Sequence, residues 1–364
     1  MIRESRLLLH HSAFPFRWKQ ARILNAKIPQ IIQSVFAKEE NPIFDFVSIG
    51  EILVDLTKAY DAAADRPVFL QNAGGAPANV ACALAKFGVS AAFCGKAGDD
   101  PFGRFCKDIL EENGVSTEYF YLSSQYPTTL SVVDLSPSGD RSFSFYRTGT
   151  ADVNLSPEDV WKIKYEEIKN FHFGTVSLTA EPSRSAVLQA VELAHKSGAV
   201  ISCDVNLRPS LWLSREEMKR EVLDMLKTVP IDILKLSAEE LSFLTGRKGI
   251  DDGIAAFSKA YPCQLLFVTC GAEGAAAYYQ EKQFFSPPYR VKALDTTGAG
   301  DFFLAAALYY MISNSLLVTA ISEDDLETIL RFANAAAALS TVKYGAIPSI
   351  PSLDAIMEMQ ISHS

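Results

Sequence analysis

The chain has 364 residues, 48% hydrophobic and 21% charged, with a net charge of −9 and a pI near 5.2. That size can bury a core without a metal or disulfide staple, and the acidic balance with no dense Lys/Arg cluster argues against nucleic acid as a partner. No apolar run approaches the roughly 18 residues that a membrane-spanning helix needs, so no membrane contact is expected.

Six cysteines, at 82, 94, 106, 203, 263 and 270, form no C-x-x-C pair. They read as small core residues of a reducing, cytoplasmic compartment. His10, His11 and His363 lie in the tails, which leaves only His172 and His195 in the body. Zinc hydrolysis and Ser-His-Asp chemistry therefore lack parts, and acid–base work falls to the carboxylates.

In chain order, residues 1–42 carry Arg3, Arg6, Arg17, Lys19 and Arg22 but no apolar segment followed by a small-residue cleavage site. They are expected to be a flexible extension or the product of an early start codon, with an organelle-targeting piece as the alternative. The main domain is expected over 43–355 and a tail over 356–364. Phe44–Ile49, Asn170–Val176, Val200–Val205, Asp232–Leu236 and Leu265–Thr269 are short, apolar and rich in β-branched or aromatic residues, which predicts buried strands.

Helical segments fall between them. Val80, Leu84 and Phe87 form an apolar stripe that Gly88 terminates, and Asp100-Pro101 opens a helix that Gly114 closes. The alternation predicts an α/β fold with a mostly parallel sheet covered by helices on both faces. Residues 57–73 and 123–149 break the rhythm. They hold strand-like pieces such as Thr128–Leu135 and Arg141–Tyr146, joined by the turn Pro137-Ser138-Gly139-Asp140, and predict a small β-sheet lid.

Residues 295–312 pass abruptly from polar turn chemistry, Asp-Thr-Thr-Gly-Ala-Gly-Asp, to an apolar helix. Gly298, Ala299 and Gly300 are placed to offer backbone N–H groups at a helix N-terminus, an anion site suited to phosphate. Asp301 falls in the first turn, where the positive helix end is expected to keep its carboxylate ionised and ready to accept a proton. Taken alone, such an Asp is as consistent with simple helix capping. No G-x-x-x-x-G-K-[ST] occurs, and Phe303 stands where a dinucleotide fingerprint wants Gly or Ala, which disfavours both better-known phosphate loops.

Asp295-Thr296-Thr297-Gly298-Ala299-Gly300-Asp301 resembles the C-terminal signature of the ribokinase-like (PfkB) carbohydrate kinases. Gly74-Gly75-Ala76-Pro77-Ala78-Asn79-Val80-Ala81 resembles their N-terminal glycine signature. The resemblance covers about 44–355. It implies a three-layer α/β/α domain with a β-sheet lid, an ATP-dependent sugar kinase with magnesium, and a homodimer paired through its lids. Asp301 would be the base, with Gly298, Ala299 and Gly300 as its anion cradle.

Within Gly50-Glu51-Ile52-Leu53-Val54-Asp55, which resembles the family's first strand, Asp55 would bind sugar hydroxyls together with Gly74, Gly75 and Asn79. Thr269, Gly271 and Gly274 would contact the nucleotide, with Asn334 near the adenine. Ser237 and Glu240 resemble the N-x-x-E element that organises magnesium through water, Ser237 replacing the usual Asn. Asp295 and Thr297 would hold potassium.

Phe145-Tyr146-Arg147 with Ala151-Asp152 resembles the fructokinase branch. Asp204-Val205-Asn206-Leu207-Arg208 is shared with 2-keto-3-deoxygluconate kinases. Arg147 and Arg208 could clamp a substrate carboxylate, or could instead pair with a nearby Asp or Glu. Asp152 would repel a sugar acid, so fructose is the expected substrate and the keto-acid the alternative. A catalytically silent nucleotide-binding scaffold would predict damage in 298–301, and those residues are intact.

Overall fold

The computed structural model describes residues 44–61, 65–135 and 141–362. The expected extension at 1–42, the turn at 137–140 and the last two residues lie outside them.

Apolar β1 (Phe44–Ile49) occupies the interior of a sheet of nine strands among the described residues, ordered β13-β12-β11-β10-β9-β8-β1-β4-β5. The others are β4 (Ala91–Gly98), β5 (Phe120–Ser123), β8 (Ile168–Gly174), β9 (Val200–Asp204), β10 (Ile233–Ser237), β11 (Leu265–Thr269), β12 (Ala275–Tyr279) and β13 (Lys282–Ser286). Pairing is parallel from β5 through to β11 and antiparallel over β11-β12-β13. Helices cover both faces, as continuous apolar strands require.

One face packs on Ala76–Lys86, Ala299–Ser313 and Glu323–Ser340, the other on Ser183–Lys196, Arg215–Thr228 and Ile250–Ala260. The helix Ala299–Ser313 is buried around most of its circumference, from Phe302 to Leu308 and again at Met311. An apolar helix of this kind is stable only inside a core, so whatever its first turn carries is held rigidly. No helix among the described residues is long and apolar enough to cross a membrane.

The second sheet runs β3-β2-β6-β7, from β2 (Leu53–Asp61), β3 (Arg66–Gly74), β6 (Leu130–Leu135) and β7 (Arg141–Tyr146). Its extent differs from the expected one. β2 begins at Leu53, because Leu53 and Val54 root it in the core, and Asp55 therefore lies on this small sheet and not on the first strand. Ser123 closes β5 of the large sheet, so the lid portion starts only at β6. The expected tail is largely the helix Leu353–Ser362, opened by Ser352 and anchored by buried Ile356.

Asp100 joins the two sheets. Its carboxylate caps the helix Pro101–Glu112 by accepting from Phe102 N and Gly103 N, and it also accepts from the Thr128 N–H and hydroxyl just before β6. Burial pushes its pKa up, but these donors outweigh burial and hold it below the usual carboxylate range. Asp100→Ala should cost about 1–2 kcal/mol of stability at neutral pH. The stabilisation is present above the unfolded-state pKa near 4 and is lost as pH falls through the depressed folded value. Thermal melts should therefore show the gap between wild type and variant closing at acid pH.

Candidate active site

Two clefts open at the C-terminal ends of the parallel strands, and they share a wall. One, of about 490 Å³, is lined by Asp55, Gly75, Asn79, Asn206, Arg208, Lys235 and Asp301 among others. The other, of about 600 Å³, is lined by Thr269, Gly271, Gly274, Tyr289, Arg290 and Asn334 among others. Thr296 and Gly300 line both.

Gly298 caps the helix Ala299–Ser313 with a left-handed φ of 80°. The Ala299 N–H turns back to Thr296 O at 3.3 Å, and Phe302 N–H reaches Gly298 O at 2.9 Å. Between them lie the amides of Gly300 and Asp301, first-turn donors that a helix cannot satisfy internally. Of the expected 298–300 set, the Ala299 N–H is thus turned back on the loop, whereas the Gly300 amide stays available to an anion together with that of Asp301.

Asp301 projects into the first cleft, with its Oδ2 accepting from Asn79 Nδ2 at 2.7 Å. Asn79 thus orients the Asp301 carboxyl, while its buried Oδ1 has no hydrogen-bond partner among the described residues. Contrary to expectation, the helix end does not keep Asp301 fully ionised. Burial and the nearby Asp204 carboxylate push its pKa up to about 7, outweighing the opposing Lys235, Asn79 and Arg208. A carboxyl poised near neutrality is suited to taking a hydroxyl proton.

Lys235 and Asp204 were not among the expected site residues. They face each other across β9 and β10, with Lys235 Nζ 2.8 and 3.0 Å from the two Asp204 oxygens. Both are buried, at 5% and 0% exposure. Burial would strip the lysine of its proton, but Asp204, aided by Glu240 and Asp301, holds the ammonium above its ordinary pKa. The sequence signal was a lysine amid the apolar Ile233-Leu234-Lys235-Leu236, since a charge on a buried strand demands a partner.

Other residues also escaped the sequence reading. Glu51 lines the first cleft and accepts from Ala76 N and Ser177 Oγ. Asn206 lines the same cleft with φ at 38°, a left-handed position that Asn tolerates better than most residues. Gly75 has φ at 122°, and a Cβ there would lie 2.4 Å from Glu51 O, so only glycine fits.

Several expected residues stand apart from the clefts. Gly74 ends β3, one residue behind the lining. Arg147 lies at the lid root, its Nε on Asp152 at 2.6 Å and its Nη1 on Thr179, so Asp152 is spent on Arg147 and is no free repellent for a sugar acid. Ser237 and Glu240 form a capping box for Ala238–Thr245. The Glu240 oxygens accept from Ser237 N and Leu207 N. Asp295 ties Thr297 N to Gly345 N. Thr297 lines the first cleft, and Asn334 Nδ2 holds Ser286 O and Pro287 O beside the second.

A model of the pfkB family carbohydrate kinases matches residues 44–353. The chain belongs to this family. It is a sugar kinase, a phosphotransferase with an alcohol acceptor, and its fold is ribokinase-like. It is 41% identical to probable fructokinase-4 of Arabidopsis thaliana over 84% of this chain and 93% of the relative. It is 40% identical to fructokinase-1 of Zea mays over 86% and 96%. The ATP-bound fructokinase of Xylella fastidiosa superposes with a TM-score of 0.79 at 31% identity, covering 88% of this chain and 99% of that one. A double mutant of the Vibrio cholerae O395 fructokinase, bound to fructose, ADP and potassium, gives 0.76 at 31% identity over 88% and 100%.

The raised pKa of Asp301 fixes the sign of two pH effects in this kinase. The folded protein retains the Asp301 proton where the unfolded chain has lost it, so this group lowers stability as pH rises from about 4 to 7. Asp301→Asn, which carries no charge, should melt above wild type at pH 8, the gap closing as pH falls toward 4. In the wild type, kcat/KM for the sugar should climb with pH through a midpoint near 7.

Proposed function

We propose that this protein transfers the γ-phosphoryl group of ATP to a hydroxyl of fructose, with Asp301 as the base. The observation that carries the reading is the shared wall. A sugar in the first cleft and a nucleotide in the second would meet at Thr296 and Gly300, beside Asp301. Phosphoryl transfer needs mainly this positioning and charge stabilisation. Asp55, Gly75, Asn79 and Arg208 would hold the sugar, Asp301 would take its proton, and the Gly300 and Asp301 amides would meet the developing negative charge. The lid would close over the sugar to exclude water.

Fructose is supported by the names of the relatives and by the fructose bound to the Vibrio cholerae enzyme. The state of Arg147 supports it too. With Asp152 and Thr179 holding that guanidinium, only Arg208 lines the cleft, and a keto-acid loses the two-arginine clamp that would have favoured it.

Magnesium at such sites is held chiefly by phosphates and water. Glu240 lines neither cleft and already accepts two backbone N–H groups, so it fits a contact through water and not direct ligation. When bound, magnesium would neutralise phosphate charge. Potassium would sit by the loop that Asp295 staples to Gly345, with Thr297 beside it. A cytoplasmic homodimer completes the proposal. It is supported by six free cysteines and by exposed Phe69, Leu70 and Tyr146 on the lid strands.

A coupled assay of ATP consumption with fructose, 2-keto-3-deoxygluconate, ribose and aminoimidazole riboside tests the reading. Fructose should give the highest kcat/KM, and turnover of the keto-acid alone would overturn the substrate assignment. Asp301→Asn should lose ~10²–10⁴ in kcat on the preferred sugar. An undiminished rate would remove Asp301 from the role of base.

A further inference from the structure

Lys235 belongs to an apolar strand and is buried with its charge intact, an arrangement that rarely adds stability. Its placement suggests another purpose. The ammonium lies 2.7 Å from where a Cβ on Gly300 would stand, against the residue that walls both clefts. Asp204 takes Nζ through two oxygens. An ammonium has three donors, so one N–H remains beyond that pair. Asp301 and Glu240 also act on this charge, and Asp301 shares the cleft with it.

We propose that the Lys235 ammonium contacts the transferring phosphoryl group as it passes Gly300 and neutralises the charge of the transition state. The inference rests on the kinase reading above. In that step the sugar hydroxyl oxygen forms a bond to the γ-phosphorus, and the bond from γ-phosphorus to the bridging oxygen breaks. ADP leaves with the electron pair, and the hydroxyl proton passes to Asp301. Lys235 exchanges no proton. Asp204 keeps it charged and aimed, and the dry surroundings make a fixed cation worth more than it would be in water.

The test compares wild type, Lys235→Met, Lys235→Arg and the double variant Asp204→Asn/Lys235→Met. For each, kcat, both KM values, the melting temperature and the affinity for ADP with and without fluoroaluminate, a planar mimic of the phosphoryl group in flight, are measured with sugar present. Lys235→Met should lose ~10²–10³ in kcat, with both KM values within about threefold of wild type. The tightening of ADP by fluoroaluminate should fall by the same factor, and Lys235→Arg should recover part of both.

The double variant removes both halves of the Lys235–Asp204 pair, so neither is left buried without the other; it should fold and yet remain as slow as Lys235→Met. The acid limb of kcat/KM should move to higher pH in Lys235→Met, where Asp204, Asn79 and Arg208 still face Asp301. A double variant at wild-type rate, or a Met variant that binds fluoroaluminate as tightly as wild type, would reduce Lys235 to a partner for Asp204. If wild type turns over no sugar, the kinase reading fails on its own, and the fluoroaluminate comparison still decides Lys235.

Discussion

The site depends on one arrangement of buried charge, in which Asp301, Lys235 and Asp204 are gathered at the top of the sheet with water largely excluded. Three charges so placed would be costly if they could relax apart. They cannot, because each sits on rigid structure. Asp204 and Lys235 stand in register on neighbouring parallel strands, and Asp301 opens a helix whose next residues are all core. Burial, aided by the Asp204 carboxylate, disfavours the ionised acid, and packing keeps the acid in place regardless.

Much of this was legible in the sequence, for reasons that differ by residue. β1 and β11 match their predicted bounds, because a fully buried strand is a short apolar run with abrupt polar ends. The 295–301 loop was legible because glycines, a helix start and a carboxylate coincide there. Lys235 and Asp204 were hidden since their meaning depends on strand order, and 30 residues of chain separate them. The raised pKa of Asp301 has no signal in the sequence, because a helix end is visible there whereas desolvation and a second carboxylate are not.

The lid boundaries show the same limit. Pattern alone gave strands without intervening helices, which located the small sheet but not its roots. Leu53 and Val54 belong to β2 because the core beneath them is apolar, and Asp100 pins the chain just before β6. Arg147 lines neither cleft. Its guanidinium bolts β7 to Asp152 and Thr179 at the lid's base.

The partition between the clefts is a single glycine thick at Gly300, with an ammonium close behind it. With a sugar in one cleft and a nucleotide in the other, as proposed, neither would have room to change shape at that point without meeting the other or Lys235. On that proposal, tolerance for altered acceptors or donors would be confined to residues that line one cleft alone, Phe145 and Arg208 on one side and Tyr289 and Arg290 on the other. The fold would then be divided into an inflexible plane where the clefts meet and two independently adjustable flanks, so that a new sugar would be accommodated without rebuilding the other half.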